Sequence, residues 1–358
     1  MKKIVVSGGG TGGHLFPAIA LGEELLTRNY EVHLITDSRC EKYLGKDLNL
    51  ISHILNFKIN SKNIITRLYF TISVLIVTIE SLLILYRLKP EIIIGFGGYP
   101  SFPTMLAALL LRLPIIIHEQ NCFMGKTNKF FAKFAVKIAL SYKETKNIAD
   151  IYKNKVIVTG NIIRGNIKDI DIKNDFNSSI FKIFIFGGSQ GAKVFSTLIP
   201  QSIKELMKLK PEVQLQITQQ AVLADHLAIS EIYSELGVPY QLSEFFHNMG
   251  DLYKRQDLVI SRSGASTIAE LTALGLPAIF IPYPYAADNH QFYNAKTLED
   301  NNEGWCFEQS KITPILLANK ILELINNRDA LKQVSSNLLK RKNDGGKILA
   351  DTVEKIIS

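Results

Sequence analysis

Seven consecutive residues near the N-terminus, Gly8-Gly9-Gly10-Thr11-Gly12-Gly13-His14, combine two requirements of group-transfer chemistry. Glycines let a pyrophosphate or a sugar approach backbone N–H groups at the start of a helix. His14 follows directly, and an imidazole with a pKa near neutrality can take a proton from a hydroxyl. A lone histidine is more often a structural hydrogen-bond partner, so the loop needs support from elsewhere. Its spacing also satisfies G-x-G-x-x-G, and Asp37 ends the next strand, where a dinucleotide enzyme keeps its ribose-binding acid. A nicotinamide- or flavin-dependent oxidoreductase is therefore the competing reading.

The second half of the chain repeats the device. Gly187-Gly188-Ser189-Gln190-Gly191 again follows an apolar run, and neither loop has the GK[ST] ending of a P-loop. Further on, Ser261-Arg262-Ser263-Gly264-Ala265-Ser266-Thr267-Ile268-Ala269-Glu270 offers N–H groups and small hydroxyls to a phosphate. Glu270 lies about a turn into the following helix, suited to accept two ribose hydroxyls, with a solvent-facing helix charge as the bland alternative. Asp288-Asn289-His290-Gln291 brings amides that suit sugar hydroxyls. No cluster has metal-ligand spacing: His118-Glu119 and His290 stand apart, and Asp169 and Asp171 fall in a polar linker.

Alternating strands and helices must position these groups. Strands are expected at Lys3–Ser7, Glu31–Thr36, Glu91–Gly95, Pro114–His118 and Lys155–Thr159, with helices at Pro17–Arg28 and Thr104–Leu111. The pattern restarts with strands Phe181–Phe186, Val213–Thr218, Tyr240–Ser243, Leu258–Ser261 and Ala278–Ile281, and helices Ala192–Met207 and Phe292–Leu298. Such alternation implies parallel sheets covered by helices, and a glycine turn opening each half implies two doubly wound α/β domains. The expected division is 1–163 and 164–345, joined through the polar stretch Arg164–Ser179. A last helix, about 346–358, has no strand of its own and is expected to pack back on the first domain.

Composition bounds the function classes. The 358 residues, 47% hydrophobic and 21% charged, suffice for two cores. Residues 1–163 carry 20 Lys and Arg against 11 Asp and Glu, and the remainder 21 against 22, so the +8 net charge belongs to the first half. A basic half suits an anionic partner such as a lipid headgroup, a pyrophosphate or nucleic acid, with a solvated, lysine-rich surface as the bland alternative. Cys40, Cys122 and Cys306 form no CxxC pair and fit a reducing compartment. Ile4-Val5-Val6 is too short an apolar run for a secretion signal. Leu68–Tyr86 reaches the length of a membrane span, but a span would put two strands of one sheet on opposite sides of the bilayer. A helix lying in the interface plane, with Lys58, Lys62 and Arg67 near headgroups, is the expectation; a fully buried helix is the alternative.

Taken in order, these motifs resemble the MurG-type peptidoglycan glycosyltransferases along nearly the whole chain. The likeness rests on Gly9–His14 with Phe16-Pro17, Gly95-Phe96-Gly97-Gly98-Tyr99, His118-Glu119-Gln120-Asn121, Gly187–Gly191, and Arg262–Ala265 leading to Glu270. The resemblance implies a GT-B fold, two Rossmann-like domains facing across a cleft. It implies inverting transfer of N-acetylglucosamine from UDP-GlcNAc to the muramyl 4-hydroxyl of lipid I, giving lipid II, with no bound metal or other cofactor and no nucleic-acid partner. It implies donor contacts at Thr11, Gly12, Gly13, Asn121, Arg164, Ser189, Phe246, Ala265, Ser266, Thr267, Ile268, Ala269, Glu270 and Gln291. His14 becomes the candidate base, with Asn121 or Glu119 orienting or sharing that role. The site of action would be the cytoplasmic side of an anionic bacterial membrane, with the enzyme bound peripherally. Three departures from the family pattern stand out: Cys122 after Asn121, no proline after Asn161, and Asn289-His290 before Gln291. Another UDP-sugar transferase of the same fold, and a non-catalytic nucleotide-sugar-binding scaffold, are the remaining alternatives.

Overall fold

A computed structural model describes residues 1–44, 48–56, 64–163, 165–168, 170, 172, 176–188 and 191–358, without the side chains of 64–70, 166 and 168. The chain divides into two compact units, Met1–Arg164 with Asn343–Ser358, and Gly165–Lys342.

The first unit holds a seven-stranded parallel sheet. Its strands are β1 (Lys3–Ser7), β2 (Glu31–Asp37), β3 (Ile51–Leu55), β4 (Ile92–Gly95), β5 (Ile115–Glu119), β6 (Lys137–Leu140) and β7 (Val156–Val158), in spatial order β3-β2-β1-β4-β5-β6-β7. The inner strands read IVVS, IIIG and IIIHE because both faces of the sheet are covered, so an alternating polar face is absent. Ile4 pairs with Val32 on one side and Ile92 on the other. One face packs under helices Gly12–Thr27 and Gly345–Ile357, through Leu15, Leu21, Leu349 and Val353. The other packs under Ile64–Leu88 and Ser101–Leu110, through Val77, Leu85, Met105 and Ala108. Arg28 pins the final helix by hydrogen bonds to Asp351 (2.6 Å) and Glu354 (2.8 Å).

The second unit holds a six-stranded parallel sheet: β8 (Phe181–Phe186), β9 (Leu215–Gln220), β10 (Tyr240–Ser243), β11 (Leu258–Ser261), β12 (Ala278–Phe280) and β13 (Trp305–Cys306), ordered β10-β9-β8-β11-β12-β13. Three strands escaped the sequence reading. Ile51–Leu55 and Trp305–Cys306 are edge strands, the first interrupted by Ser52 and His53 and the second only two residues long, and Lys137–Leu140 has four residues. Their pairing with a neighbour, rather than an apolar period, makes them strands.

Two boundaries differ from expectation for a physical reason. The first helix begins at Gly12, inside the glycine run, and continues through Pro17, which the sequence suggested as its first residue. Packing of Leu15, Ala18 and Leu21 on the sheet outweighs the lost proline N–H. The helix after the second glycine loop starts at Phe195, after a short turn, rather than at Ala192.

Helix Ile64–Leu88 is neither wholly buried nor wholly free. Val77, Ser81 and Leu85 face the sheet and helix Ser101–Leu110, whereas Leu75, Ile76, Ile79 and Leu83 are 57, 60, 58 and 53% exposed. The segment Thr71–Leu88 is long and apolar enough to cross a membrane by length and composition. Its buried stripe is nevertheless part of the first unit's core. Lys58 and Lys62 and the side chain of Arg67 lie outside the described residues.

Candidate active site

In both sheets the strand order reverses direction between the first and fourth strands, and ligand crevices in open parallel sheets form at the carboxyl ends of the strands flanking that point. The loops after β1 and β4 are Gly8–Thr11 and Phe96–Pro100; β8 is followed by Gly187 and Gly188, and β11 by Arg262–Gly264. The glycine motifs of the sequence therefore occupy the switch points.

In the first unit, Thr11 caps helix Gly12–Thr27 in extended conformation, and the first turn carries no acidic residue, so its N–H groups keep their positive potential. His14 lies in that turn. Its Nδ1 stands 2.8 Å from the Phe96 carbonyl and 3.2 Å from Gln120 Oε1. Both partners are oxygens, so Nδ1 carries a proton and donates, and in the neutral ring Nε2 keeps its lone pair. Gly98, at φ +73°, lies along the ring edge; a Cβ there would come within 3.0 Å of His14 Cδ2 and 3.4 Å of Nε2. Gly98 thus answers two constraints, a left-handed backbone and close approach to the His14 ring.

Glu119 is buried at the end of β5 and is fully engaged by neutral donors. Oε1 accepts from the Asn121 N–H (3.1 Å) and Asn121 Nδ2 (3.0 Å), Oε2 from the Gly125 N–H (3.0 Å) and Asn128 Nδ2 (2.9 Å). It therefore orients Asn121, with the Asn121 side-chain oxygen directed away from Oε1, and has no geometry for sharing the work of a base. His118, next in the strand, is entirely buried, which pushes its pKa down to about 3.

Asp37 is where a dinucleotide enzyme would hold ribose, but its carboxylate is turned into the protein. It accepts from the Gly10 N–H (2.6 Å) and from Arg39 Nε (2.6 Å), and is 1% exposed. The Arg39 guanidinium in turn lies 4.7 Å over the Tyr99 ring, joining the two glycine loops. The oxidoreductase alternative loses its ribose acid here. Spacing singled out Asp37 for a different role, and it did not single out Arg39, Gly98 or Gln120, which border the glycine loops and His14; the two glycine motifs and the His118–Asn121 run were the available signal.

In the second unit, Gly264 precedes helix Ala265–Leu274 in extended conformation, and no side chain caps the helix. Ser266 is partly exposed; Ala265, Thr267, Ile268, Ala269 and Glu270 are buried. What this run offers a ligand is backbone N–H groups and hydroxyls, since the Ile268 and Ala269 side chains are buried. Glu270 accepts a hydrogen bond from Tyr253 Oη (3.0 Å). Gln291 holds the polar loop: its Oε1 accepts from the Tyr283 N–H (2.9 Å) and its carbonyl from Ser263 Oγ (2.8 Å). Phe246 stands edge-on to Phe184, with ring centroids 5.5 Å apart. Arg262 is buried, donates to the Ile281 and Pro282 carbonyls and to Gln309, and burial lowers its pKa to about 10. Arg164 and Ser189, both expected at the donor, lie outside the described residues, as do Asp169 and Asp171. Among the described residues no group of three His, Cys, Asp or Glu could hold a metal ion.

Two successive doubly wound sheets with glycine turns at their switch points make a GT-B fold, the architecture of many nucleotide-sugar glycosyltransferases. The chain belongs to glycosyltransferase family 28: residues 4–140 match the family's N-terminal domain and residues 182–349 its C-terminal domain. It is 55% identical over 361 residues to a Rickettsia bellii protein named UDP-N-acetylglucosamine–N-acetylmuramyl-(pentapeptide) pyrophosphoryl-undecaprenol N-acetylglucosamine transferase, covering all of both chains. A Rickettsia canadensis protein of the same name is 54% identical, again over the full length of both. The crystal structure of Acinetobacter baumannii MurG superposes with a TM-score of 0.79 at 28% identity, covering 99% of this chain and 100% of that one.

Proposed function

We propose that this chain transfers N-acetylglucosamine from UDP-GlcNAc to the muramyl 4-hydroxyl of lipid I, with inversion, producing lipid II for peptidoglycan. The activity rests on the full-length likeness to transferases of that name. The site rests on one observation: His14 presents Nε2 as a free base because Nδ1 faces two oxygens. Nε2 takes the proton of the acceptor hydroxyl as its oxygen attacks the anomeric carbon, and UDP departs from the opposite face. Helix Ala265–Leu274 directs its first N–H groups, with Ser266 and Thr267, at the leaving diphosphate, so the charge has a stabilising partner within the protein. In the same reading Glu270 holds the ribose, Phe246 lies by the uracil, and Gln291 and Asn121 meet the sugar. Thr11, Gly12 and Gly13 face phosphate oxygens, with Arg164 and Ser189 completing the donor set.

The exposed stripe Leu75, Ile76, Ile79 and Leu83 supports a further part of the reading, that the enzyme docks peripherally on an anionic membrane at its cytoplasmic side. Glu80 is exposed on the same helix, and a carboxylate is tolerated at a headgroup boundary far better than in mid-bilayer.

Transfer from labelled UDP-GlcNAc to a short-chain lipid I analogue tests the activity, and His14→Ala should sharply reduce turnover, leaving a measurable residual rate, while UDP binding persists. Intact UDP binding without turnover in the unaltered protein would instead establish a nucleotide-sugar-binding scaffold. Leu75→Asp with Ile76→Asp should release the protein from anionic vesicles without unfolding it, because both side chains are already in water; unchanged vesicle binding would remove the docking surface.

A further inference from the structure

We infer that Gln120 is a positioning residue for the base, taking the place that a carboxylate holds behind histidine in many acid–base pairs; this rests on His14 being the base. Gln120 is buried immediately after β5, and its two carbonyl contacts fix which way its amide points. Its Nε2 lies 3.0 Å from the Phe96 carbonyl and 3.4 Å from the His118 carbonyl. Carbonyl oxygens only accept, so the nitrogen must be on that side and Oε1 must face His14. The same Nε2 stands 3.1 Å from His118 Nδ1, which accepts because an amide nitrogen only donates. His118 is itself held, its carbonyl accepting from Asn128 Nδ2 at 2.9 Å.

The order of dependence runs from the sheet outward. β5 places His118 and Gln120, the two carbonyls orient the Gln120 amide, and the amide oxygen joins Phe96 in accepting from His14 Nδ1. When His14 takes the acceptor's proton, the new positive charge spreads to an Nδ1–H already directed at two oxygens. No carboxylate is needed behind the ring, and among the described residues none bonds to His14: Glu119, the adjacent acid, is engaged by Asn121, Gly125 and Asn128.

The test is a double-mutant cycle in the transfer assay. Gln120→Met keeps the length of the side chain and removes its polar atoms. It should lower kcat about tenfold, the equivalent of one well-oriented hydrogen bond, and leave the UDP-GlcNAc KM within about twofold. On the His14→Ala background the same substitution should change the residual rate less than about twofold, because Gln120 then has nothing to position. A purely structural role predicts losses that multiply, and that result would overturn the inference, as would a Gln120→Met kcat within about twofold of the unaltered enzyme. If the methionine variant does not fold, Gln120→Asn, which withdraws the oxygen by one methylene, is read in the same cycle with the same criteria. Full turnover by His14→Ala alone would refute the base itself and is thus distinguishable from failure of the positioning role.

Discussion

Replacing Glu119 by glutamine changes one atom and should be among the most damaging isosteric substitutions in the first unit. Four N–H groups converge on this carboxylate at 2.9 to 3.1 Å, two on each oxygen. An amide can offer an oxygen to only one pair. In either orientation its NH2 faces the other pair, so two donors lose their acceptor and meet a third. Hydrogen bonds to a charged acceptor contribute about 1.5 to 3 kcal/mol each, so the loss is about 3 to 6 kcal/mol, with loop relaxation favouring the lower end. For a unit of this size, 3 kcal/mol corresponds to a fall of roughly 6 to 12 °C in melting temperature. Circular dichroism melts of the two proteins measure it, and kcat should fall in parallel because Asn121 loses its anchor. A shift below about 2 °C with unchanged kcat would refute the reasoning, since it would mean that the four contacts are not made together.

Three further outcomes follow from the same geometry. Gly98→Ala should lower kcat strongly and UDP affinity little, because a Cβ at φ +73° presses on the His14 ring; equal losses in both would place Gly98 elsewhere in the reaction. The pKa of His118 is pushed down by burial from 6.5 to about 3, so below pH 6.5 the unfolded chain binds a proton that the folded chain excludes. Stability should then decline by up to about 1.4 kcal/mol per pH unit as pH falls through that window. Urea midpoints at pH 7 and pH 5 should differ less in His118→Gln than in the unaltered protein, and equal slopes would contradict the assignment. Arg28→Ala should free the final helix, because Asp351, Glu354 and Glu24 lose a shared cation; early proteolytic cleavage near Asn343 reports it, and unchanged resistance would show that apolar packing alone holds the helix.

Much of this was legible in the chain itself. Continuous apolar runs such as Ile92–Gly95 and Phe181–Phe186 mark strands buried on both faces, and the glycine tracts mark where backbone must approach a ligand. Restarting of that pattern at Phe181 announces a second sheet. Short or edge strands were not legible, because Lys137–Leu140 and Trp305–Cys306 are strands only by virtue of a paired neighbour. The role of Asp37 was misleading in sequence: the acid stands at the dinucleotide position, yet holds the Gly10 N–H and Arg39.

The sequence by itself determined the two doubly wound sheets, the glycine turns at their switch points and the presence of a histidine beside one of them. These depend on local composition and on periods of a few residues. Only the tertiary structure decided which nitrogen of His14 is free, since its partners Phe96 and Gln120 lie 82 and 106 positions away. It likewise decided which stripe of helix Ile64–Leu88 is core and which is exposed. An apolar helix has no polar face to reveal its orientation, and a hydrogen atom's place on an imidazole is fixed only by the atoms that surround it.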